Sequence, residues 1–313
     1  MRVLTDADVA TCIDLDSLLP VVAEAFSKQG KGQVERPDRP HFPIPGGTGL
    51  TMPAYIHGAA YVATKLVTVH EANPERGLPT VQAQLVLQDA ETGTPAAFLD
   101  GRRVTNARTG CIGGLAAKHL TSGRITLGVI GSGTQARWQT RAIAAATELG
   151  KVRIYSRSEA REACAAELGE ELDCPVEAVS SPEAAIADAS VVVTATTATS
   201  PVFPPEALAP DALVIAVGAY TSEMQELPPE IFEGATCFAD VPAEAAETGD
   251  ARAARVREGA LVPLSEAIEG WAEREAKKRA IVLSVGTAVL DAATAEYVLE
   301  RAEKRGLGTE LPF

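Results

Sequence analysis

The chain has 313 residues, enough for two domains that each bury a core, and it offers no apolar run of the ~18 residues that a membrane-spanning helix needs. Its 28 basic and 42 acidic residues leave a formal charge of −14, which argues against nucleic acid as a partner because phosphate binding needs a basic face. The cysteines are odd in number with no C-x-x-C pair and read as reduced thiols, and the histidines stand in no ligand spacing, so no metal site is expected.

The start, Met1-Arg-Val-Leu-Thr-Asp-Ala-Asp, has acids where a signal peptide carries basic residues. A cytoplasmic protein with no membrane partner is expected. Residues 5–8 look like a helix-capping start, and 18–26 carry an amphipathic helix with Pro20 in its first turn. Residues 32–53 change character, and within them 36–47 read as extended, because repeated prolines exclude a helix. Alternating runs at 60–69, 80–89 and 94–100 read as strands, the last two joined by a turn at Glu91-Thr-Gly93. A helical pattern follows at 105–120.

The run 124–130 is short, apolar and β-branched, and 134–149 is rich in Ala, Gln and Arg at helical spacing. Between them lies G-x-G-x-x-A. In that fingerprint Gly131 allows the tight turn, Gly133 lets the backbone approach a pyrophosphate, and Ala136 permits close packing of helix on strand. Ser132, Thr134 and Gln135 complete the loop, and phosphates are favoured at the helix N-terminus by free amides and the dipole. A strand at 151–156 then ends in Ser156-Arg157-Ser158, without the acid that would accept bonds from ribose hydroxyls. Arg157 suits a 2′-phosphate, with neutral bonds from Ser156 and Ser158, so NADPH is the expected cofactor and NADH the weaker alternative. The competing reading makes Arg157 a solvated surface residue.

Further strands near 176–180, 190–195, 212–217, 235–240 and 280–285 alternate with helices at 158–172, 182–187, 243–257 and 271–279. The fold class is α/β. A doubly wound parallel sheet of Rossmann type is expected over 120–287. The last helix, 288–305, lies beyond the final strand and returns to the first part, which makes a discontinuous domain of 1–119 and 288–313. Residues at strand ends are candidates for cofactor contact: Thr194, Ala195, Thr196, Val217, Gly218, Ser284, Val285 and Gly286. Simple turn geometry is the other reading of these small residues.

Several segments together resemble the ornithine cyclodeaminase and mu-crystallin family. They are Met52-Pro-Ala-Tyr55, Lys65-Leu-Val-Thr-Val-His-Glu-Ala-Asn-Pro-Glu-Arg-Gly-Leu-Pro-Thr80, Thr92-Gly-Thr-Pro95, Thr105-Asn-Ala-Arg-Thr-Gly110, Gly131-Ser-Gly-Thr-Gln-Ala136, Glu247-Thr-Gly-Asp250 and Ser284-Val-Gly-Thr-Ala288. They span nearly the whole chain in the family's order. The resemblance implies a Rossmann domain, a split α/β domain for dimerisation and substrate, and a homodimer with its active site in the cleft between domains. Cyclodeaminases of the family carry Asp in the turn after the fifth Rossmann strand, where this chain has Tyr220. A phenol with a pKa near ~10 is no carboxylate base at neutral pH, which puts ornithine cyclisation in doubt. The stretch Met224-Gln-Glu-Leu-Pro228 looks more like the family's cyclic ketimine reductases.

The expected substrate is then Δ1-pyrroline-2-carboxylate or Δ1-piperideine-2-carboxylate, reduced to L-proline or L-pipecolate. Arg108 is the first choice for bidentate capture of the carboxylate. Lys65 gives a second contact and, with its pKa lowered by burial beside the arginine, a proton donor or electrostatic clamp. By resemblance, Arg39 fills the cationic position that precedes Met52, with Arg36 as competitor, and Thr80 bonds the lysine or the substrate. Glu247 is the candidate counter-charge to an iminium through its likeness to the mu-crystallin motif, or else a helix-surface acid. Met52 and Tyr220 complete the candidate substrate residues. An amino-acid dehydrogenase of alanine dehydrogenase type and a non-catalytic NADPH-binding protein of crystallin type remain the alternatives.

Overall fold

The computed structural model describes residues 1–275 and 277–312. Contacts divide the chain into two compact units, Met1–Arg108 with Thr287–Phe313, and Thr109–Gly286. The division falls inside the helix Gly101–Leu120 and not at the expected 119/120. The reason lies in small residues of its second half. A Cβ on Gly110 would sit 2.6 Å from the Trp138 carbonyl oxygen, and one on Gly113 would overlap the Gln139 amide. The Gln139 amide also donates to Thr109 O at 2.8 Å. That half of the helix therefore packs with the nucleotide-loop helix, Thr134–Ala146.

In the first unit one sheet runs in the order Thr309–Glu310, Arg2–Leu4, Pro95–Asp100, Val81–Asp89, Tyr61–Val69, Gly47–Ile56 and Val34–Glu35, with His41–Ile44 also paired to Gly47–Ile56. Most pairs are antiparallel, but Arg2–Leu4 runs parallel to Pro95–Asp100. No helix forms over 36–47, as the prolines suggest, and those at 37, 40 and 43 lie in or beside the hairpin of His41–Ile44 with Gly47–Ile56. Side chains alternate across a strand. On Tyr61–Val69 this buries Ala63 and Lys65 and leaves Leu66 exposed. The helices Leu15–Gly30 and Ala288–Arg305 pack on each other, and the second also lies against Gly47–Ile56 and Tyr61–Val69. The helix Leu15–Gly30 begins earlier than expected, so Pro20 lies inside it rather than in its first turn. Thr5 caps Asp6–Cys12 in a reciprocal capping box with Asp8, as residues 5–8 suggest.

In the second unit the strands are all parallel, in the order Val176–Ala178, Leu149–Tyr155, Ile125–Ile130, Val191–Thr194, Leu213–Ala216, Ala280–Leu283, Thr236–Ala239 and Val262–Pro263. The order reverses direction between Ile125–Ile130 and Val191–Thr194, the switch point where open α/β sheets bind ligands beyond their carboxyl ends. Two expected helices differ. The pattern at 243–257 is broken into Pro242–Ala245 and Gly249–Ala253, the second capped by Thr248. At the restart Gly249 N donates to Thr221 O at 2.9 Å, and a Cβ on Gly249 would sit 2.2 Å from Met224 O, so only glycine fits there. Residues 271–275 and 277–279 form no helix. A shorter helix, Leu264–Ile268, precedes them and stops at Gly270, whose φ is 73°. The segment after Trp271 is rich in charge and has no apolar stripe to bury, so nothing packs it as a helix. Among the described residues no helix is long and apolar enough to cross a membrane.

Candidate active site

The strand Tyr61–Val69 turns Lys65 inward between its register partners Met52 and Leu85, both buried. The helix Gly101–Leu120 brings in Arg108, and the helix Ala288–Arg305 brings in Asp291. Lys65 Nζ donates to Asp291 Oδ2 at 2.5 Å, and Arg108 Nε donates to Asp291 Oδ1 at 2.9 Å. The three residues are only 2%, 5% and 1% exposed. An isolated buried charge is costly, and one carboxylate shared by two cations is how the cluster stays ionised. Burial pushes the Lys65 ammonium down to about 8, helped by the charges of Arg108 and Arg39 and opposed by Asp291. Burial would push the Asp291 carboxyl up, but the charges and hydrogen bonds of Arg108 and Lys65 outweigh it and hold it below the usual carboxylate range. Two cations around one anion leave one positive charge over. Arg108 commits Nε to Asp291, and its two terminal nitrogens are the fork available to a second carboxylate.

The nucleotide loop is built for an anion. Gly131 has φ 122°, and a Cβ there would lie 2.4 Å from Ala195 O, so only glycine fits the turn. Gly133 caps the helix Thr134–Ala146 without a side-chain hydrogen bond, and a Cβ there would meet nothing within 4 Å. The helix start therefore has no side chain capping it and lies at an exposed turn, which is the arrangement that receives a pyrophosphate. Ala136 is fully buried against the sheet. Ser132 Oγ donates to Ser156 Oγ at 2.8 Å, tying this loop to the end of the second strand. There the turn is stiffened by Ser156 Oγ donating to Ser158 O at 3.0 Å and by Arg161 donating to Ser156 O at 3.1 Å, while Arg157 is exposed. These residues fit a dinucleotide.

Three acids fix the carboxyl ends of the remaining strands. Glu226 Oε1 accepts from Thr196 N and Thr196 Oγ1 at 2.6 and 2.7 Å, and its Oε2 accepts from Gly218 N and Thr194 Oγ1 at 2.8 and 2.9 Å. Asp250 Oδ1 accepts from the amides of Glu226 and Leu227 at 2.7 and 2.8 Å. Asp240 accepts from Val241 N, Ser284 Oγ, Val285 N and Gly286 N. Thr194, Thr196, Gly218, Ser284, Val285 and Gly286 are thus gathered by buried carboxylates. Burial pushes the Asp250 carboxyl up to about 7 despite its two amide partners. Burial also pushes the Glu226 carboxyl up, opposed by the hydrogen bonds from Thr196, Thr194 and Gly218, which all favour the ionised form.

The other candidates are placed as follows. Arg39 precedes the strand His41–Ile44, is half-buried, and is one of the charges acting on Lys65. Arg36 is also half-buried. Thr80 is half-buried, and its carbonyl accepts from His70 N at 2.9 Å. Tyr220 is 48% exposed on the loop after Leu213–Ala216. Glu247 lies between the two short helices, exposed, with its carboxylate 3.7 Å from Arg252; Asp250 is the buried acid of that motif. Val217 and Ala195 sit half-buried at strand ends, beside the exposed Thr134 and half-buried Gln135 of the nucleotide loop. Asp291, Glu226 and Asp240 escape the sequence reading. Asp291 had a signal, a lone charge in the apolar run Ala288-Val-Leu-Asp-Ala-Ala, and so had Asp240, directly after the strand Thr236–Ala239. Glu226 had only its place in the stretch Met224-Gln-Glu-Leu-Pro228, with nothing that marks it as buried.

Residues 1–306 match the ornithine cyclodeaminase/mu-crystallin family. A Δ1-pyrroline-2-carboxylate reductase of Bacillus cereus is 33% identical over 100% of both chains. Among solved structures the chain resembles Thermococcus litoralis Δ1-pyrroline-2-carboxylate reductase in complex with NADH and L-proline, with TM-score 0.94 and 28% identity over 99% of this chain and 100% of that one. It resembles an archaeal alanine dehydrogenase dimer with bound NAD at the same TM-score of 0.94, with 30% identity over 100% and 99% of the two chains. A match that runs through both units at this level makes the chain a member of the ornithine cyclodeaminase/mu-crystallin family and an oxidoreductase.

Proposed function

We propose that the protein reduces cyclic ketimine carboxylates with NADPH, taking Δ1-pyrroline-2-carboxylate or Δ1-piperideine-2-carboxylate to L-proline or L-pipecolate. The observation that carries this reading is the buried Lys65, Asp291 and Arg108 cluster with its one excess positive charge. It suits a small substrate with one carboxylate and a basic nitrogen. The likeness to the two pyrroline-2-carboxylate reductases supports the substrate class.

The terminal nitrogens of Arg108 take the carboxylate in a bidentate pair, and Asp291 fixes the guanidinium through Nε. Lys65, with a pKa near 8, is charged at neutral pH and acidic enough to give its proton to the imine nitrogen. The protonated imine is the stronger electrophile. Asp291 then stabilises whichever charge remains on the cluster and holds Lys65 in place. Arg39 adds a third cation on the substrate side. The cofactor, when bound, supplies the hydride that the imine carbon accepts. The nucleotide loop of residues 131–136 and the strand ends fixed by Glu226 and Asp240 hold it.

NADPH is favoured over NADH by Arg157 on its stiffened turn and by the lack of an acid at that strand end. A homodimer is expected, in keeping with the dimeric archaeal relative. The sheet face of the first unit that carries Leu66 and Phe98, both exposed, is its proposed contact. Five free cysteines agree with a reducing compartment such as the cytoplasm. The second reading is an amino-acid dehydrogenase, favoured by the equal structural likeness to alanine dehydrogenase. Oxidation of NADPH and of NADH by the purified protein, with Δ1-pyrroline-2-carboxylate or with pyruvate plus ammonia, separates the two. Fast turnover of the imine with NADPH supports the proposal, and activity on pyruvate plus ammonia alone overturns it in favour of the dehydrogenase.

A further inference from the structure

Glu226 is completely buried at the carboxyl edge of the parallel sheet. Its four partners all donate. The Thr196 hydroxyl accepts from Ala198 N at 3.2 Å and donates to Glu226 Oε1 at 2.7 Å. Among the described residues no lysine, arginine or histidine pairs with it. Dipoles stabilise an anion without cancelling its charge, so its field persists beyond the bonded shell. Two of the donor residues, Thr196 and Gly218, are only half-buried, so the shell that holds the carboxylate reaches the open edge of the sheet. The strand ends also press together there. A Cβ on Gly218 would lie 2.2 Å from Thr196 O and 2.5 Å from Glu226 Oε1.

We propose that Glu226 is a fixed negative charge behind the nicotinamide end of the cofactor site, and that it favours the oxidised, cationic ring over the neutral reduced one. The inference rests on the reading above, in which the strand ends at residues 194–196 and 217–218 contact the cofactor, and it places them at its nicotinamide end. When a hydride leaves with its electron pair for the imine carbon, the donor ring acquires a positive charge. Glu226 stabilises that charge as it develops, and it needs no rearrangement to do so, because its donors are already in place. Asp250 serves the same end by holding the Glu226 and Leu227 amides.

The test is the ratio of dissociation constants for NADP+ and NADPH, measured by calorimetry on wild type, Glu226→Gln and Glu226→Asp. Glutamine keeps the shape but removes the charge. The proposal predicts that Glu226→Gln weakens NADP+ about tenfold more than NADPH, while Glu226→Asp weakens both alike and keeps the wild-type ratio. Equal weakening of both nucleotides in the glutamine variant makes the residue a structural clasp only and overturns the proposal. If the glutamine variant does not fold, the wild-type ratio decides: NADP+ bound as tightly as NADPH or more tightly supports the charge, and NADPH bound about tenfold more tightly contradicts it. Wild type that binds neither nucleotide overturns the cofactor reading itself, a failure distinct from an unshifted ratio.

Discussion

In the first unit Asp291 is neutralised by two cations, whereas in the second Glu226 is held by hydrogen-bond dipoles alone. The consequence is opposite charge. The lysine and arginine cluster keeps a positive excess and suits an anionic substrate, and the strand-end cluster, in the proposal above, keeps a negative one that suits a ring becoming cationic. Burial strengthens both fields, because neither is screened by water. The comparison teaches that a buried ionisable residue is informative through what compensates it, not through its burial.

Removing the compensation breaks the first cluster most severely. Asp291→Ala leaves Lys65 and Arg108 buried without an anion, and loss of one partner from such a pair costs roughly 3–5 kcal/mol. Denaturant unfolding of the variant should show a loss of that size, and unchanged stability would mean that the cations are not held by Asp291. Lys65→Met, by contrast, removes charge and partner requirement together. Its stability should fall far less, while kcat/KM for the imine should drop about 10²–10⁴-fold if the ammonium supplies the proton. The same role fixes the pH profile. Lys65 is protonated below about pH 8 and loses its proton above it, so wild-type kcat/KM should decline as pH rises through about 8. A flat profile from neutral pH upward would assign the proton to another group.

The nucleotide side is sharpened by Arg157→Ala. Its guanidinium is exposed, and a charge-assisted bond to a 2′-phosphate is worth roughly 1.5–3 kcal/mol. The KM for NADPH should rise about ten- to hundredfold, and that for NADH should not move. A parallel rise in both would place the arginine outside any phosphate site.

Much of this was legible in the sequence where the physics is local. The glycine loop, its strand and its helix follow one another within a short stretch, and each glycine has a steric reason that the structure repeats at Gly131. Lys65 and Arg108 stand out as lone cations in apolar or small-residue surroundings, and their burial follows from strand and helix periodicity. What the sequence did not show is made by distant pairing. Glu226 is defined by Thr194 and Thr196 at the end of one strand and Gly218 at the end of another, and no short window of sequence contains them all. The edge strands Thr309–Glu310 and Val262–Pro263 are too short to carry an alternation. The need for glycine at 249, where the second short helix starts, likewise depends on the distant backbone of Met224, which no helix propensity records.

The most direct test of the account compares kcat/KM for Δ1-pyrroline-2-carboxylate with that for Δ1-pyrroline, the same ring without a carboxylate, in wild type and in Arg108→Ala. If Arg108 and its cluster capture the carboxylate, wild type prefers the acid strongly and the variant loses about 10²-fold of that preference. A preference that survives the substitution intact would contradict the assignment of the cluster to substrate binding.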